Sequence, residues 1–264
     1  MSPVNTDKKI VEKIFTKLPK DTVIGEFSGR DSAAAIVKSL EQPDINNILP
    51  VASFAGVEYG NAQVLKENHE YTAKRIEELF GKEKKLFPLI FYSNPSLWSV
   101  INGRFTSLLI KKYGFYTPCI GCHAYFHILR VPMALKLGKI IISGERESHD
   151  GRIKVNQLPL CLDSYKKILS CFGVDLIMPL QYLKEGKGVE KILGSSWEEG
   201  KSQPQCFFSG NYRDLNGESM IEEKQIKKFL EEFLEPVLIK IVTLFIQKED
   251  ITERELLKEV EGVL

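Results

Sequence analysis

Two short segments of this sequence carry most of the side chains that could do chemistry. The first is the turn Ser28-Gly29-Arg30-Asp31-Ser32, here named the phosphate turn, which follows a strand-like run and precedes an alanine-rich helix. A loop that leaves a strand and enters a helix collects free backbone N–H groups and the positive end of that helix. The glycine allows the backbone to approach a phosphate closely, and the serines and the arginine add hydrogen bonds and charge. The turn therefore predicts a phosphate-binding site.

Asp31 is the one residue of the phosphate turn that would repel a phosphate. A divalent cation between the two groups removes that repulsion, so Asp31 suggests bound Mg²⁺. The alternative is that the segment forms only a turn, with Asp31 and Ser32 capping the next helix. The segment is neither a Walker loop nor a dinucleotide-binding fingerprint, because it lacks the residues that define each motif.

The second segment contains a Cys-x-x-Cys pair, Cys119 and Cys122, just ahead of a predicted helix. Two intervening residues allow both thiols to face one metal or cluster, and the helix end is expected to lower the pKa of Cys122. Zinc, a redox dithiol and two unrelated thiols remain alternatives. The odd total of five cysteines argues against a disulfide framework. Cys206 lies in a later loop, whereas Cys161 and Cys171 lie among apolar residues and are expected to pack as small hydrophobic side chains.

A charged loop, from Gly144 to Arg152, follows a later predicted strand and so should lie at the same sheet edge as the phosphate turn. Arg146 and Arg152 could clamp phosphate groups. The loop also offers candidate Mg²⁺ ligands and a proton carrier, namely Glu147, Asp150 and His149. The alternative is a solvated loop with internal salt bridges. Near the cysteine pair, two histidines one helical turn apart are expected to support neighbouring groups or pack in the core rather than bind metal: His123 and His127.

Strand-like and helical segments alternate along the first half of the chain. Strands are predicted over 22–27, 48–54, 86–92, 139–143 and 175–179, and helices over 4–18, 33–40 and 68–80. Residues 96–137 are helical in character apart from a break at Thr117-Pro118, residues 195–216 are loop-like, and residues 218–264 form two or more helices. The pattern predicts an α/β fold with a doubly wound, mostly parallel sheet and added C-terminal helices. A nucleotide-binding domain over 1–217 and a helical appendage over 218–264 are expected.

Composition fits a globular protein and excludes several classes. The 264 residues suit one large α/β domain, and a content of 43% hydrophobic and 27% charged residues argues against disorder. The net charge of +1 imposes no strongly basic surface. No apolar run approaches the ~20 residues that a membrane span needs. The polar start has no secretory signal, so the cytoplasm is the expected compartment.

A strand followed by Ser-Gly-x-Asp-Ser resembles the PP-loop ATP pyrophosphatase superfamily, whose usual motif has one glycine more. Members cleave ATP between the α- and β-phosphates and adenylate a carbonyl oxygen, so that a nucleophile can displace AMP. The resemblance implies that the phosphate turn holds pyrophosphate and metal, with Asp31 and Arg146 in catalytic roles. Gly144 and Arg146 would close the nucleotide pocket. Adenine would meet the end of the second strand, formed by Ala52, Ser53 and Phe54.

Over roughly residues 20 to 210 the order of motifs is similar to that of the iron–sulfur-dependent tRNA-cytidine 2-thiolation enzymes. That order is a PP-loop, a Cys-x-x-Cys pair, a strand ending in glycine, a Pro-Leu segment and one further cysteine. The resemblance implies that Cys119, Cys122 and Cys206 hold a 4Fe-4S cluster with one iron left open, which carries the sulfur to be transferred. The first two cysteines would then be catalytic as well. Zinc is the alternative metal.

The resemblance implies an ATP-dependent sulfur transferase. Its partners would be ATP, tRNA or a small-molecule sulfur acceptor, a sulfur donor and a second copy in a homodimer, with no membrane. One alternative is an enzyme like the adenylyl-sulfate reductases, whose loop motif is loosely matched by Gly144, Arg146, Ser148 and Arg152. Those enzymes need a C-terminal cysteine, however, and none follows Cys206. Another alternative is a non-catalytic nucleotide-binding protein with structural zinc.

Overall fold

The computed structural model describes residues 5–195, 197, 203–248 and 250–264. Its strands are β1 (Val23–Glu26), β2 (Asn47–Ala52), β3 (Glu58–Tyr59), β4 (Lys85–Leu86), β5 (Ile90–Phe91), β6 (Ile140–Ile142), β7 (Asp175–Ile177) and β8 (Gln205–Cys206). Its helices up to β8 are α1 (Lys8–Phe15), α2 (Arg30–Ser39), α3 (Val64–Phe80), α4 (Pro95–Asn102), α5 (Thr106–Tyr113), α6 (Pro118–Leu129), α7 (Val131–Leu135), α8 (Pro159–Ser170) and α9 (Gly186–Leu193). The C-terminal helices are α10 (Glu223–Phe229), a π-helical turn (Leu230–Leu234), α11 (Glu235–Gln247) and α12 (Glu253–Glu261).

A parallel sheet forms the centre of the molecule, in the order β4-β2-β1-β6-β7 with β5 also paired to β2. From β1 the chain moves outward through β2 to β4 and β5, then returns to the other side of β1 for β6 and β7. The winding direction therefore reverses between β1 and β6. In such sheets ligands bind outside the carboxyl ends of the strands at this point. The expected α/β architecture with a mostly parallel sheet is confirmed.

Helices cover both faces of the sheet. Consecutive residues of a strand point to opposite faces, so each strand contributes side chains to two cores. Val23 packs in a core with α2 and α9, whereas Ile24 packs in a second core with α6, α7 and α8. In β6, Ile142 belongs to the first core and Ile141 to the second. The strands are apolar on both faces, as expected of a buried parallel sheet.

The structure differs from the sequence-based expectations at two sites along the first half of the chain. The strand predicted over 86–92 is divided into β4 and β5, because Pro88 lies between them and has no N–H for the ladder. Helix α2 begins at Arg30, so its N-cap is Gly29 rather than Asp31 or Ser32. The capping prediction was wrong, because the Ser32 hydroxyl instead donates back to the Gly29 carbonyl (2.8 Å).

Helix α8 and the strands β3 and β8 were not predicted from the sequence. Helix α8 connects β6 to β7 across the sheet, which its parallel arrangement requires. Strand β8 lies inside the segment 195–216 that was expected to be a loop, and it pairs with β3 in a small antiparallel ribbon. Residues 196 and 198–202 of that segment, and residue 4 of the first predicted helix, lie outside the described residues. The four helices α4 to α7 confirm the helical character predicted for 96–137.

The C-terminal helices pack against the main body. Phe229, Phe233 and Leu238 belong to the same buried cluster as Tyr113 of α5 and Leu162 of α8. The domain boundary at 217/218 stays a prediction, although one continuous core runs across it. No helix in the described part of the chain combines the length and the apolar run that a membrane crossing needs.

Candidate active site

A cavity of about 260 Å³ opens at the carboxyl ends of β1, β2 and β6. It lies where the winding direction of the sheet reverses, as expected for a ligand site in this fold. The structure brings most of the predicted nucleotide-binding residues to its wall: Ser28, Gly29, Arg30, Asp31, Ser32, Ser53 and Gly144. Arg146, Ala52 and Phe54 do not line it.

The phosphate turn is held together by its second serine. The Ser28 N–H donates to the Ser32 hydroxyl (2.9 Å), which in turn donates to the Gly29 carbonyl. A side chain on Gly29 would collide with the Gln203 side chain, since a Cβ there would lie 1.7 Å from its Oε1 atom. Gln203 therefore lies directly against the turn.

Gly144 lets the end of β6 touch the start of α2. A Cβ on Gly144 would lie 2.6 Å from the Ser32 backbone nitrogen and 2.7 Å from the Asp31 carbonyl carbon. Backbone atoms cannot yield to such a contact without moving the helix. Gly144 thus lines the cavity, where only a residue without a side chain permits this close backbone approach.

Asp31 is paired with two arginines. Its Oδ1 accepts from the Nε–H of Arg30 (3.1 Å) and its Oδ2 from that of Arg146 (3.0 Å). Arg146 is fully buried and also donates to the Leu183 carbonyl. The contact that Arg146 makes is therefore with Asp31, not with the cavity. Because two guanidinium groups balance the carboxylate, the repulsion that suggested Mg²⁺ at Asp31 is already neutralised.

The other candidate Mg²⁺ ligands face away from the cavity. Glu147 accepts from the side-chain amide of Gln181 (2.8 Å), and Asp150 accepts from the Gly186 N–H (2.8 Å). Neither carboxylate lines the cavity, and Arg152 is exposed. Gly144, Glu145 and His149 of the charged loop thus line the cavity, whereas Glu147 and Asp150 make local contacts.

The three residues expected to meet adenine differ in what they contact. The Phe54 N–H donates to the Ser93 hydroxyl (2.8 Å), and its carbonyl accepts from the Tyr125 hydroxyl (3.0 Å). The Ala52 carbonyl accepts a backbone hydrogen bond from the chain that follows β5. Ser53 lines the cavity. Of the three, Ser53 is therefore the residue placed to meet a ligand.

Sequence reasoning missed a set of ionisable side chains at the floor of the cavity, here named the buried cluster: Glu26, His123, His127 and Glu145. His127 Nδ1 lies 2.8 Å from Glu26, and His123 Nδ1 lies 2.5 Å from Glu145. His127 Nε2 lies 3.6 Å from the same Glu145 oxygen. The spacing of the histidines on α6 was visible in the sequence. Their carboxylate partners were not, because these lie on β1 and after β6.

Both carboxylates of the buried cluster are held ionised. Burial alone would raise the pKa of Glu145, but His123, His127 and a hydrogen bond from Gln157 lower it to about 2. Burial opposes ionisation at Glu26 as well, yet His127 and Arg130 lower its pKa below the ordinary value. An ionised carboxylate can only accept hydrogen bonds. The Nδ1 atom of each histidine therefore carries the proton that faces its glutamate.

A chain of hydrogen bonds joins the buried cluster to the phosphate turn. Gln157 donates from its amide to Glu145, and its carbonyl accepts from His149 Nε2 (2.5 Å). His149 Nδ1 in turn accepts from Arg146 (2.9 Å), which holds Asp31. Both ring nitrogens of His149 thus have partners. The structure places His149 as a link in this chain, where the sequence suggested a proton carrier.

Helix α6 and the ribbon of β3 and β8 bring three thiols together, here named the cysteine site: Cys119, Cys122 and Cys206. Thr117 caps α6 by accepting from the Cys119 N–H (3.3 Å), which fixes the start of the helix. Cys206 lies in β8 directly opposite Glu58 of β3. A charge on Cys206 would raise the pKa of both cysteines of α6, so the three side chains lie near one another. The three cysteines that the resemblance implied as ligands thus lie near one another, and their role as a ligand set stays a prediction.

The thiols of the cysteine site are neutral unless a cation joins them. Burial is the largest influence and raises the pKa of all three, that of Cys122 well above its ordinary value. The expectation that the helix end lowers the pKa of Cys122 was wrong, because loss of hydration outweighs the helix dipole. A bound metal reverses this by favouring thiolates. A metal centre at these cysteines would therefore have to displace the protons of the thiols.

The arrangement of the thiols bears on the kind of centre. Among the described residues, no three His, Cys, Asp or Glu side chains are grouped as ligands of one ion. A single zinc ion needs its sulfurs within about 2.3 Å of one point. A 4Fe-4S cluster lies between its thiolates and holds them farther apart. The choice between a cluster and zinc therefore stays a prediction.

The two remaining cysteines behave differently from each other. Cys161 is buried and donates to the Val155 carbonyl (3.2 Å), which confirms its expected packing role. Cys171 is exposed, so the same prediction was wrong for it. It caps the end of α8, where its thiol donates to the Lys167 carbonyl and faces solvent.

Comparison with known proteins gives one informative similarity. No family model matches the chain. A protein of Methanocaldococcus jannaschii, named Uncharacterized protein MJ0009, is 47% identical over 234 residues. The match covers 89% of this chain and 84% of that protein.

Proposed function

We propose that this chain, which belongs to the same family as MJ0009 of Methanocaldococcus jannaschii, is a PP-loop ATP pyrophosphatase that inserts sulfur into an AMP-activated acceptor. One observation carries the proposal: the nucleotide cavity and the cysteine site share two short segments. His123 lines the cavity and directly follows Cys122. Gln203 lines it from the other side and lies three residues before Cys206.

The phosphate turn supplies the groups that would bind pyrophosphate. The first N–H groups of α2 and the positive end of this helix favour an anion at the turn. Ser28 adds a hydroxyl, and Arg30 and Lys154 add positive charge at the cavity wall. Mg²⁺ would enter on the phosphates of ATP, which is its usual mode in such sites. Asp31, held by Arg146, fixes the shape of the turn.

The proposed reaction has two steps. A carbonyl oxygen of the acceptor attacks the α-phosphorus of ATP, an O–P bond forms, and pyrophosphate leaves as the α–β bridge breaks. A sulfur nucleophile then attacks the carbonyl carbon of the adenylated acceptor. A C–S bond forms, and the C–O bond breaks as AMP leaves with the oxygen. Preorganised cations at the cavity stabilise the negative charge that develops on the leaving pyrophosphate. Ser53, at the end of β2, would contact the adenine.

Cys119, Cys122 and Cys206 would hold the 4Fe-4S cluster. When bound, this cluster supplies an open iron that carries the sulfur to be transferred. A tRNA base is the favoured acceptor because of the motif order, and the near-neutral charge keeps a small-molecule acceptor as the alternative. The proposal places the enzyme in the cytoplasm.

Metal analysis after anaerobic purification tests the proposal. We expect a broad absorption band near ~400 nm and about four irons per chain, lost in the Cys206→Ala variant. Cys171→Ala is the matched control, because that thiol is exposed on α8 and away from the cysteine site. The iron-loaded protein should release pyrophosphate and AMP from ATP when a tRNA acceptor is added.

Two results would contradict the proposal. Iron that is equally retained in Cys206→Ala would remove Cys206 from the ligand set. A colourless protein with one zinc that releases no pyrophosphate would identify a nucleotide-binding protein with structural zinc instead.

A further inference from the structure

The cavity at the phosphate turn carries opposite charges at its two ends. At one end lie the positive N-terminus of α2 and two basic side chains, Arg30 and Lys154. At the floor lie two carboxylates that are held ionised, Glu26 and Glu145. Phosphate groups are therefore favoured at the turn and repelled from the floor. The part of a ligand that reaches the floor must be neutral, and hydrogen-bond donors are favoured there over acceptors.

His127 presents a hydrogen-bond acceptor at this floor. Its Nδ1 atom donates to Glu26 (2.8 Å), whereas its Nε2 atom lies 3.6 Å from Glu145, too far for a hydrogen bond. The Tyr165 ring packs on the imidazole, with 5.0 Å between the ring centroids, but its hydroxyl donates to the Ile120 carbonyl (3.0 Å). Within the part of the chain that the structure describes, Nε2 has no hydrogen-bond partner, and His127 is only 1% exposed. A proton on Nε2 would be buried without an acceptor, so this nitrogen carries a lone pair.

The hydroxyl of Ser53 is a second buried polar group at the cavity. Ser53 lines the cavity at the end of β2, and its oxygen has no hydrogen-bond partner among the described residues. A hydroxyl can donate or accept, and it rotates to suit its partner. Ser53 therefore tolerates either kind of polar atom on a ligand, whereas His127 requires a donor. Any choice between ligands at the floor is made by His127.

Purine bases differ in the group that such a floor would distinguish. Adenine carries an amino group on carbon 6, which is a donor, whereas guanine and hypoxanthine carry an oxygen there, which is an acceptor. The amino group can donate to His127 Nε2, and its hydrogens are attracted by the carboxylates of the floor. The oxygen would face the same lone pair and the same negative charges without forming a hydrogen bond.

We propose that His127 selects adenine nucleotides over guanine and hypoxanthine nucleotides by accepting a hydrogen bond from the adenine amino group. The inference rests on the nucleotide-binding half of the proposed function and needs no metal or cluster at the cysteines. Glu26 is a positioning residue, because its hydrogen bond to Nδ1 fixes the tautomer and the orientation of the ring. Ser53 serves the neighbouring ring nitrogen of the purine, which accepts in adenine and donates in hypoxanthine.

Calorimetric titration of the purified full-length protein with ATP and with inosine triphosphate tests the inference, each nucleotide being added with Mg²⁺. The two nucleotides share the ribose and the triphosphate. They differ only at the edge in question, where inosine has an oxygen in place of the amino group and a proton on the adjacent ring nitrogen. We expect ATP to bind at least about tenfold more tightly, because inosine leaves His127 Nε2 without a donor.

Two substitutions of His127 separate the acceptor from simple packing. Glutamine can donate to Glu26 through its amide nitrogen and offer its carbonyl oxygen to the amino group, so His127→Gln should keep most of the preference for ATP. Leucine has no polar atom, so His127→Leu should bind the two nucleotides almost equally. His69→Leu is the matched control, because His69 contacts the Phe87 carbonyl (2.9 Å) and does not line the cavity. Circular dichroism verifies that each variant is folded.

Equal affinity of the wild type for the two nucleotides would overturn the inference, and this comparison decides it even where His127→Leu does not fold. A folded His127→Leu protein that keeps the full preference would overturn it as well. In both cases ATP still binds, and the proposed function stands. A wild-type protein that binds neither nucleotide would overturn the proposed function and this inference with it.

Discussion

Buried charge, rather than surface charge, shapes the candidate site at the scale of single residues. Asp31 is paired with Arg146, whose side chain is 0% exposed, and Glu145 is ionised beside two histidines. Removing one partner of such a pair leaves an uncompensated charge away from water, which costs far more than the loss of an exposed ion pair. These residues therefore support folding and the shape of the phosphate turn together.

Replacement of Arg146 by methionine should be strongly destabilising. Methionine fills a similar volume but cannot donate to Asp31 or His149, so the free energy of unfolding should fall by about 3–5 kcal/mol. Urea denaturation measures this change. Equilibrium binding of ATP to the folded variant should also weaken, because the phosphate turn loses the contact that fixes Asp31.

Arg104→Met is the matched control for this prediction. Arg104 forms an ion pair with Glu253, but both side chains are substantially exposed (55% and 36%). Loss of an exposed pair typically costs about 0–1 kcal/mol. Equal losses of stability in the two variants would contradict the argument that burial decides the value of the Arg146 pair.

At the scale of elements, the site depends on how closely the end of β6 approaches the start of α2. Gly144 is the contact point, and a Cβ there would meet only backbone atoms of Asp31 and Ser32 within 3 Å. The same approach brings the charged loop against the phosphate turn. Two elements separated by more than a hundred residues thus build one wall of the cavity.

Replacement of Gly144 by alanine should push α2 away from β6. Overpacking of this kind typically costs about 1–3 kcal/mol. Because the displaced atoms belong to the phosphate turn, ATP affinity measured by calorimetry should fall at least about tenfold, the equivalent of 1.4 kcal/mol. Gly262→Ala is the control, since its added methyl group would meet only ordinary contacts at 3.4 Å. Wild-type ATP affinity in Gly144→Ala would show that the close approach is not needed.

At the scale of the whole molecule, the C-terminal helices share one core with the α/β body. Phe233 and Ile241 are fully buried in the cluster that also contains residues of α5, α6 and α8. Buried apolar area contributes about 25 cal/mol per Å² to stability, so removal of these helices would expose a large part of the core. The two parts are therefore expected to unfold together.

Deletion of residues 218–264 should abolish cooperative folding. Thermal unfolding of the shortened chain, followed by circular dichroism, should show no sharp transition. Phe233→Ala in the full chain should lower the free energy of unfolding by about 3–5 kcal/mol while keeping a single transition. A shortened chain that unfolds cooperatively and binds ATP would support the independent domain expected over 1–217.

The sequence by itself determined the main strands of the central sheet and most helices, together with their order, because these depend on local patterns. The apolar runs that became β1, β2, β6 and β7 and the alanine-rich start of α2 were readable from neighbouring residues. The phosphate turn was found in the same way, since its strand, glycine and helix are contiguous. Two departures from the predicted elements also have local causes. Pro88 divides the predicted strand 86–92 into β4 and β5, and the Ser32 hydroxyl donates to the Gly29 carbonyl instead of capping α2.

Only the tertiary structure decided which charges meet and which thiols converge. Glu145 with His123, Asp31 with Arg146, and Cys206 with Glu58 are pairs separated by 22, 115 and about 150 residues along the chain. No local pattern specifies such partners, because they depend on the order of strands in the sheet and on the winding reversal beside β1. The chemistry of the site therefore follows from side chains that the sequence supplies and from pairings that the closed fold imposes.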